Sequence, residues 1–291
     1  MRHAYMIMAH DNFYNLEKLL RLLDQPNNDI YLHINQSVPD FDQDFWAGLL
    51  KSATMSFAER VRVFPYTYTQ VEGIVSLLRA ATKTTHDYYH MLSGADLPIK
   101  PLREIDAFFA AHRGQEFVGF SSFFPPDMVE QRHILQNYYK HRNLALARSA
   151  RLANRLGLVA QKLLGINRMA GFAGTVKKGW DWFSITHEAA LHLLAGEPSF
   201  RRSFFGSYCP SEFFVQTILY NSPFRDHIYS LEHPAAATRR YIDWERGQPY
   251  VFRLDDLDSL RASPLLFARK FMETVDKEII DAVYHMVTQE D

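Results

Sequence analysis

The residue best placed for chemistry is an acid, Glu212, which stands in a short polar turn among aromatic side chains. Pro210 and Ser211 precede it, and the apolar run that starts at Phe213 predicts a helix behind it. A carboxylate held at such a position could take a proton from a sugar hydroxyl as a general base. The alternative is that Glu212 only completes a helix cap with Ser211 or interacts with the helix dipole.

Aromatic residues on either side of this acid are candidates for binding a sugar acceptor. Trp180, Asp181 and Trp182 stand upstream of it, and Trp244 follows further along the chain. The face of an aromatic ring is an apolar platform on which a sugar ring can lie. Trp182 also begins a predicted strand, so it could equally belong to the core.

Strands and helices alternate through the first hundred residues, and this order predicts the elements that position the site. The predicted strands span residues 4–9, 30–34, 61–64 and 88–92, and a helix is predicted over 69–82. Such alternation favours an α/β fold with a central, mostly parallel sheet that binds ligands at the carboxyl ends of its strands. The candidates for nucleotide contacts at these ends are His10, Asn35, Arg62, Gly94 and Asp96.

The remainder of the chain is predicted to complete the same domain. Strands are expected at 116–120 and 182–185, helices at 187–194 and 212–220, and a helical tail at 254–270 and 273–287. Thr186 is expected to cap the helix that follows it. We interpret residues 1–291 as one domain, with a nucleotide-binding half (1–100) and an acceptor and catalytic half (101–291).

Composition excludes several classes of protein. The net charge of −1 argues against a nucleic-acid partner, and the single cysteine excludes an intramolecular disulfide and suits a reducing compartment. No apolar stretch reaches 18 residues, so we expect a cytoplasmic protein. The thirteen histidines show no zinc-ligand spacing, and no glycine-rich phosphate loop is present.

A basic segment interrupts the second half of the chain, over about residues 131–178. Between Gln131 and Trp180 there is no Asp or Glu, and leucines recur there at roughly helical spacing. The basic residues are Arg132, Lys140, Arg142, Arg148, Arg151, Arg155, Lys162, Arg168, Lys177 and Lys178. The segment is either a solvated helical face or an amphipathic element that meets an anionic acceptor or the inner face of the cell membrane.

Five segments, in this order and spacing, resemble the core-2/I-branching β-1,6-N-acetylglucosaminyltransferases and the related peptide O-xylosyltransferases. They are AYMIMAH at 4–10, IYLHIN at 30–35, SGADLPIK at 93–100, YIDW at 241–244 and LFARKF at 266–271. The resemblance covers nearly the whole chain, and the soluble bacterial branch of the family fits it best.

The resemblance implies a GT-A-like nucleotide-diphosphosugar transferase fold and a specific chemistry. Glu212, in the family's Pro-x-Glu segment, would be the general base of an inverting transfer. Lys270 would contact the donor pyrophosphate in place of a metal ion, and Arg253 or Arg240 would add a second positive charge. The donor would be a UDP-sugar carrying N-acetylglucosamine or xylose, the acceptor a glycan or a lipid-linked glycan, with no cofactor.

Two alternatives stay open on the residues alone. A metal-dependent transferase could bind Mn²⁺ or Mg²⁺ through Asp40 or Asp42, which form Asp-x-Asp triplets with their neighbours, although Asp96 stands alone where such a motif is expected. Alternatively, the chain could be a module that binds a nucleotide or a glycan without turnover. If Glu212 and Lys270 do not face one cleft, the binding module is favoured.

Overall fold

A six-stranded sheet forms the centre of the molecule in the computed structural model, which describes residues 1–134 and 144–289. Its strands are β1 (His3–Ala9), β2 (Asn28–Ile34), β3 (Thr54–Phe57), β4 (Tyr88–Ser93), β6 (Phe117–Phe120) and β7 (Gly179–Ile185). Their order is β3-β2-β1-β4-β7-β6, and only β7 runs antiparallel to its neighbours. The predicted α/β fold with a mostly parallel sheet is confirmed.

Helices cover both faces of this sheet, because the strands bury side chains on both sides. On β1, Tyr5 and Ile7 pack into one apolar cluster, whereas Ala4 and Met6 pack into the other. The longer helices are α1 (Phe13–Leu22), α3 (Thr69–Ala81), α4 (Leu102–Ala111), α6 (Leu144–Leu163), α7 (His187–Phe204), α8 (Ser211–Tyr220) and α11 (Glu278–Gln289). The short ones are α2 (Gln43–Ala47), α5 (Asp127–Glu130), α9 (Pro234–Thr238) and α10 (Leu257–Ala262). None of the helices in these ranges is both long and apolar enough to cross a bilayer.

A second, three-stranded sheet corrects the prediction of a helical tail over 254–270. Its strands are β5 (Asp96–Pro98), β8 (Arg240–Ile242) and β9 (Phe267–Arg269), with β9 in the middle. Only Leu254–Asp256 and α10 are helical in that range. The three residues of β9 are buried between two partner strands, so tertiary pairing overrides local helix propensity here.

The third strand of the main sheet also lies elsewhere than predicted. Residues 61–64 are irregular, and β3 pairs with β2 instead. Polar side chains hold the irregular segment against the end of β2: the amide of Val61 donates to Nε2 of His33 at 3.0 Å, and the Asn35 amide donates to the carbonyl of Val63 at 2.9 Å. The segment therefore forms part of the wall above the sheet.

A bulge distorts the start of β7, where Trp180–Trp182 oppose a single residue of β6. The two strands then approach each other closely, since a Cβ built on Gly179 would lie 1.8 Å from the carbonyl oxygen of Gly119. Such bulges re-aim side chains and often lie next to functional sites. At the other end of β7, Thr186 caps α7 as predicted, with its hydroxyl accepting from the amide of Ala189 at 3.3 Å.

Candidate functional site

A cleft of about 520 Å³ opens at the carboxyl ends of β1, β2 and β4. Because β7 is antiparallel to β4, its first residues arrive at this same edge. Of the predicted site residues, the cleft is lined by His10, Asn35, Gly94, Asp181, Trp182 and Lys270. It is also lined by Ser211 and Arg269, which the sequence did not single out. The residues predicted for the site that do not line it are Arg62, Asp96, Trp180, Glu212, Trp244 and Arg253.

The wall built by the first two strands is shaped by backbone and amide groups. The Asn35 side chain accepts from the amide and hydroxyl of Ser37, both at 3.0 Å, so it orders the loop after β2. Gly94 lies against β1, where an added Cβ would come within 2.9 Å of the Cβ of Ala9. His10 is exposed, with its Nε2 3.5 Å from a carboxylate oxygen of Asp11. This wall leaves room and polar atoms for a flat, polar ligand.

The opposite wall carries two cations side by side on the chain. Arg269 is the direct cross-strand partner of Asp96, and its guanidinium lies 3.0 Å from that carboxylate, which is 1% exposed. Burial raises the pKa of Asp96 and lowers that of Arg269, while the attraction between them opposes both shifts. Asp96 therefore holds Arg269 in place and does not itself reach the cleft.

The guanidinium of Arg269 also lies over the ring of Trp182, 3.7 Å from its centroid. This contact is a cation–π interaction that fixes both side chains at the cleft wall. The next residue, Lys270, lines the cleft, and no described acidic side chain lies within ion-pair distance of its ammonium group. Lys270 is thus a cation available to an anionic ligand.

The other arginines considered for this role lie elsewhere. Arg240 is buried beneath the cleft on β8, where it donates to the carbonyl of Phe183 at 2.9 Å and to the hydroxyl of Ser184 at 2.9 Å. Burial lowers its pKa to about 9. Arg253 and Arg62 are exposed outside the cleft lining.

Glu212 is the second residue of α8, and its carboxylate pairs with the ammonium group of Lys178 at 2.8 Å. Its neighbour Ser211 lines the cleft, so Glu212 lies at the cleft margin and not within the lining itself. Lys178 is the last basic residue of the segment that precedes β7. Its pairing with Glu212 was not predicted from the sequence, because nothing in the spacing of the two residues indicates contact.

A second carboxyl, Asp181, completes an acidic pair with Glu212. Burial and then the negative charge of Glu212 raise the pKa of Asp181 to about 6, against an ordinary value of 3.8. The Ser211 hydroxyl and the charges of Arg269 and Lys178 oppose this shift. The Ser211 hydroxyl thus lies close to the Asp181 carboxyl, but within the described part of the chain neither it nor Oδ1 of Asp181 makes a well-aligned hydrogen bond. Buried polar atoms are normally satisfied, so this pair is an incompletely satisfied polar group at the cleft wall.

The raised pKa of Asp181 predicts a pH-dependent cost in stability. Between pH about 4 and about 6 the folded protein binds more protons at this group than the unfolded chain does, so this contribution to stability is lost as pH rises through 6. We expect Asp181→Asn to be more stable than the wild type at pH 8, by on the order of 3 kcal/mol. The gain should vanish by pH 4, as measured by urea unfolding at both pH values. A gain that is equal at pH 4 and pH 8 would contradict this assignment.

Trp180 and Trp244 line a separate groove of about 450 Å³, together with Tyr241, Asp243 and Glu245 among others. Their ring centroids are 6.1 Å apart at an interplanar angle of 52°, and Trp244 is 43% exposed. The predicted acceptor residues are therefore divided, with Asp181 and Trp182 in the main cleft and the other two tryptophans here. Trp180 and Trp182 belong to the same bulge, so the two cavities share one strand.

The acidic triplets considered for a metal lie in and before α2. Asp42 caps this helix by accepting from the amide of Phe45 at 3.0 Å. Neither Asp40 nor Asp42 lines the main cleft. Among residues 1–134 and 144–289, no three His, Cys, Asp or Glu side chains converge as metal ligands do.

Comparison with known proteins identifies relatives of this chain. Xylosyltransferase 2 of Rattus norvegicus is 22% identical over 317 residues, and that of Homo sapiens is 22% identical over 314 residues. Both alignments cover 98% of this chain and 34% of the relative, so the chain spans about a third of the length of these proteins. Xylosyltransferase of Ciona intestinalis is 21% identical over 306 residues, covering 97% of this chain and 33% of its own length. The bacterial origin stays a prediction.

A solved structure and a family model were also matched. The crystal structure of mouse Xyloside xylosyltransferase 1 in its apo form aligns with 92% of this chain and 96% of its own, with a TM-score of 0.39 and 12% identity. Residues 3–259 match the model of the family described as Branch: Core-2/I-Branching enzyme. Because this match extends over most of its length, the chain belongs to the core-2/I-branching enzyme family, a family of glycosyltransferases.

Proposed function

We propose that the chain is an inverting, metal-independent glycosyltransferase that moves N-acetylglucosamine or xylose from a UDP-sugar to a hydroxyl of a glycan or lipid-linked glycan. The observation that carries the proposal is the arrangement of charges around the cleft. Lys270 and Arg269 are cations in one wall, and the acidic pair of Asp181 and Glu212 lies at the same edge of the sheet. A diphosphate leaving group needs the cations, and an attacking hydroxyl needs a base.

The donor would lie across the carboxyl ends of β1, β2 and β4. His10, Asn35 and Gly94 supply the wall for the nucleotide, as expected for ligands of open α/β sheets. The ammonium group of Lys270, with no described carboxylate beside it, would bind the pyrophosphate as a point charge and stabilise UDP as it leaves. Arg269, held by Asp96 and by Trp182, would add a second positive charge in a fixed orientation.

The chemical step would be a direct displacement at the anomeric carbon. The acceptor oxygen attacks this carbon, the bond to the diphosphate oxygen breaks, and UDP departs with the electron pair. Glu212 receives the proton of the acceptor hydroxyl and becomes neutral, so its ion pair with Lys178 is lost in this step. Attack from the face opposite the leaving group inverts the anomeric centre. Asp181 would hold the acceptor, because this residue lines the cleft.

The groove of Trp180 and Trp244 would bind the sugar residues of the acceptor beyond the one that reacts. Tryptophan faces provide the platform, and Asp243 and Glu245 supply polar groups at the rim. An acceptor that extends from the main cleft into this groove would pass along the bulge of β7. The proposal includes both a free glycan and a lipid-linked glycan as this acceptor.

The metal-dependent alternative is less well supported by the geometry. Asp42 is occupied in capping α2, and the cleft lining places lysine and arginine where a metal would otherwise neutralise the phosphates. Lys270 lines the cleft and Glu212 lies only at its margin, which counts toward a binding module without turnover. Such a module would retain the cations but would have no need for the acidic pair at the same edge of the sheet. The metal-dependent alternative therefore differs from the proposal in its response to chelation. The binding module differs from it in having no catalytic activity.

Donor binding is tested by thermal unfolding in the presence of UDP, UDP-N-acetylglucosamine and UDP-xylose, each with and without EDTA. A ligand at 100 times its Kd should stabilise the wild type by roughly 2.7 kcal/mol, irrespective of EDTA. Lys270→Ala should lose most of this stabilisation, whereas Lys51→Ala, a change at an exposed lysine outside the cleft, should keep it. Stabilisation or activity that EDTA abolishes and Mn²⁺ restores would favour the metal-dependent alternative.

A further inference from the structure

An apolar stripe runs along the solvent-facing side of α6. Leu152, Leu156, Val159 and Leu163 recur at intervals of four, three and four residues, so they share one helical face. Their exposed fractions are 59%, 60%, 51% and 82%, and Leu164 just beyond the helix is 76% exposed. Contiguous exposed apolar surface of this kind marks an interaction site in a soluble domain.

The opposite side of α6 is fastened to the body of the protein. Asn154 accepts from the amide of Ile134 at 2.8 Å, and the Gln161 side chain accepts from the amide of Arg132 at 2.8 Å and donates to its carbonyl at 3.1 Å. Beyond the helix, the guanidinium of Arg168 donates to the carbonyl of Phe205 at 2.7 Å. These bonds set the rotation of the helix, and the stripe consequently points outward.

Basic side chains flank the stripe on one side. Arg148, Arg155 and Lys162 are exposed, and in the described ranges none of them forms an ion pair with an acidic residue. The sequence has no Asp or Glu from 131 to 180, so no acid of this segment offsets these charges. Lys140 and Arg142 of the same segment lie outside the described residues. The face is therefore both apolar and positively charged.

We propose that α6 lies on an anionic lipid surface, with its leucine stripe in the headgroup region and its basic flank on lipid phosphates. The combination of an apolar face with lysine and arginine at its margin suits a helix that lies in the plane of a membrane interface. A second copy of the chain would bring the same uncompensated basic charges together. An anionic membrane satisfies both the apolar stripe and the charge, and it agrees with the predicted peripheral position at the inner face of the cell membrane.

Cosedimentation of the full chain with vesicles tests the charge requirement. Binding is expected to vesicles of phosphatidylcholine with phosphatidylglycerol and not to phosphatidylcholine alone, and to weaken as the Debye length falls from about 10 Å at 0.1 M salt to about 3 Å at 1 M. The triple variant Arg148→Gln, Arg155→Gln, Lys162→Gln should lose about a hundredfold in affinity, at about fivefold for each basic side chain. The control triple Lys51→Gln, Arg79→Gln, Lys83→Gln changes net charge equally and should bind as the wild type does.

A fluorescent label tests the position of the stripe. The single native thiol, Cys209, is buried, so an environment-sensitive dye can be attached selectively after Leu156→Cys or, as a control at an equally apolar exposed site on α7, Leu191→Cys. Anionic vesicles should shift the emission of the dye at position 156 to the blue and leave that at 191 unchanged. Equal shifts at both positions, equal binding to both vesicle types, binding to neither, or a concentration-dependent dimer with a shifted dye and no vesicles would overturn the proposal.

Discussion

Glu212→Gln is expected to reduce glycosyl transfer by at least about a hundredfold, because a positioned general base typically contributes roughly a hundred- to ten-thousand-fold in rate. The amide has nearly the same shape but cannot accept the proton of the acceptor hydroxyl. UDP binding, measured by thermal unfolding, should be unchanged, since Glu212 does not line the cleft that Arg269 and Lys270 line. Single-turnover kinetics with saturating donor would isolate the chemical step.

The matched control for this variant is Glu188→Gln. Glu188 is the second residue of α7, as Glu212 is of α8, so both carboxylates meet a helix N-terminus in the same way. If Glu212 acted only on the helix dipole, the two variants would lose equal, small amounts of stability and no activity. If Asp181→Asn abolished transfer while Glu212→Gln retained more than about a tenth of it, the base would be Asp181.

Asp96→Asn is expected to destabilise the fold by about 3–5 kcal/mol, because it leaves the buried guanidinium of Arg269 without its carboxylate. This would lower the Tm by about 6–10 °C in a chain of this size. The double variant Asp96→Asn, Arg269→Met should recover much of the loss, since it removes the unpaired charge. Urea unfolding at pH 7 would measure both differences.

The control for the buried pair is an exposed one. Asp258 lies 3.4 Å from Arg261 with 94% of its side chain exposed, so Asp258→Asn should leave the unfolding curve unchanged. A loss from Asp96→Asn that is as small as this would show that Arg269 finds other partners. In that case the orientation of Arg269 at the cleft would depend on its contact with Trp182 alone.

The strands that carry the cleft were predictable because they are buried on both faces. The apolar runs of β1, β2 and β4 are nearly continuous, as the central strands of a parallel sheet require, and their carboxyl ends correctly located the cleft edge. β3 was missed because it is an edge strand with two exposed residues of its four, Thr54 and Ser56. The more apolar segment at 61–64 resembles a strand locally but has no partner to pair with.

The chemistry of the cleft was only partly predictable, since its key contacts join distant positions. The resemblance pointed to Lys270, whose contact with the pyrophosphate stays a prediction, whereas the position of Arg269 depends on Asp96, which precedes it by 173 positions. In the same way, the sequence shows Lys178 only as one charge of a basic segment, whereas the fold places its ammonium group beside the carboxylate of Glu212. Local pattern and spacing cannot reveal such pairs. The sequence predicted one group of acceptor residues, but the bulge in β7 divides these residues between two cavities.

The close contact between Gly179 and the carbonyl of Gly119 makes the geometry of the cleft depend on a position with no functional group. Any larger residue at 179 would force β7 away from β6 and move the three residues that follow, Trp180–Trp182. Substrate preference could therefore drift through displacement of the backbone while every side chain that contacts a ligand stays the same. A mutational survey confined to polar and aromatic positions would not detect this route to a changed specificity.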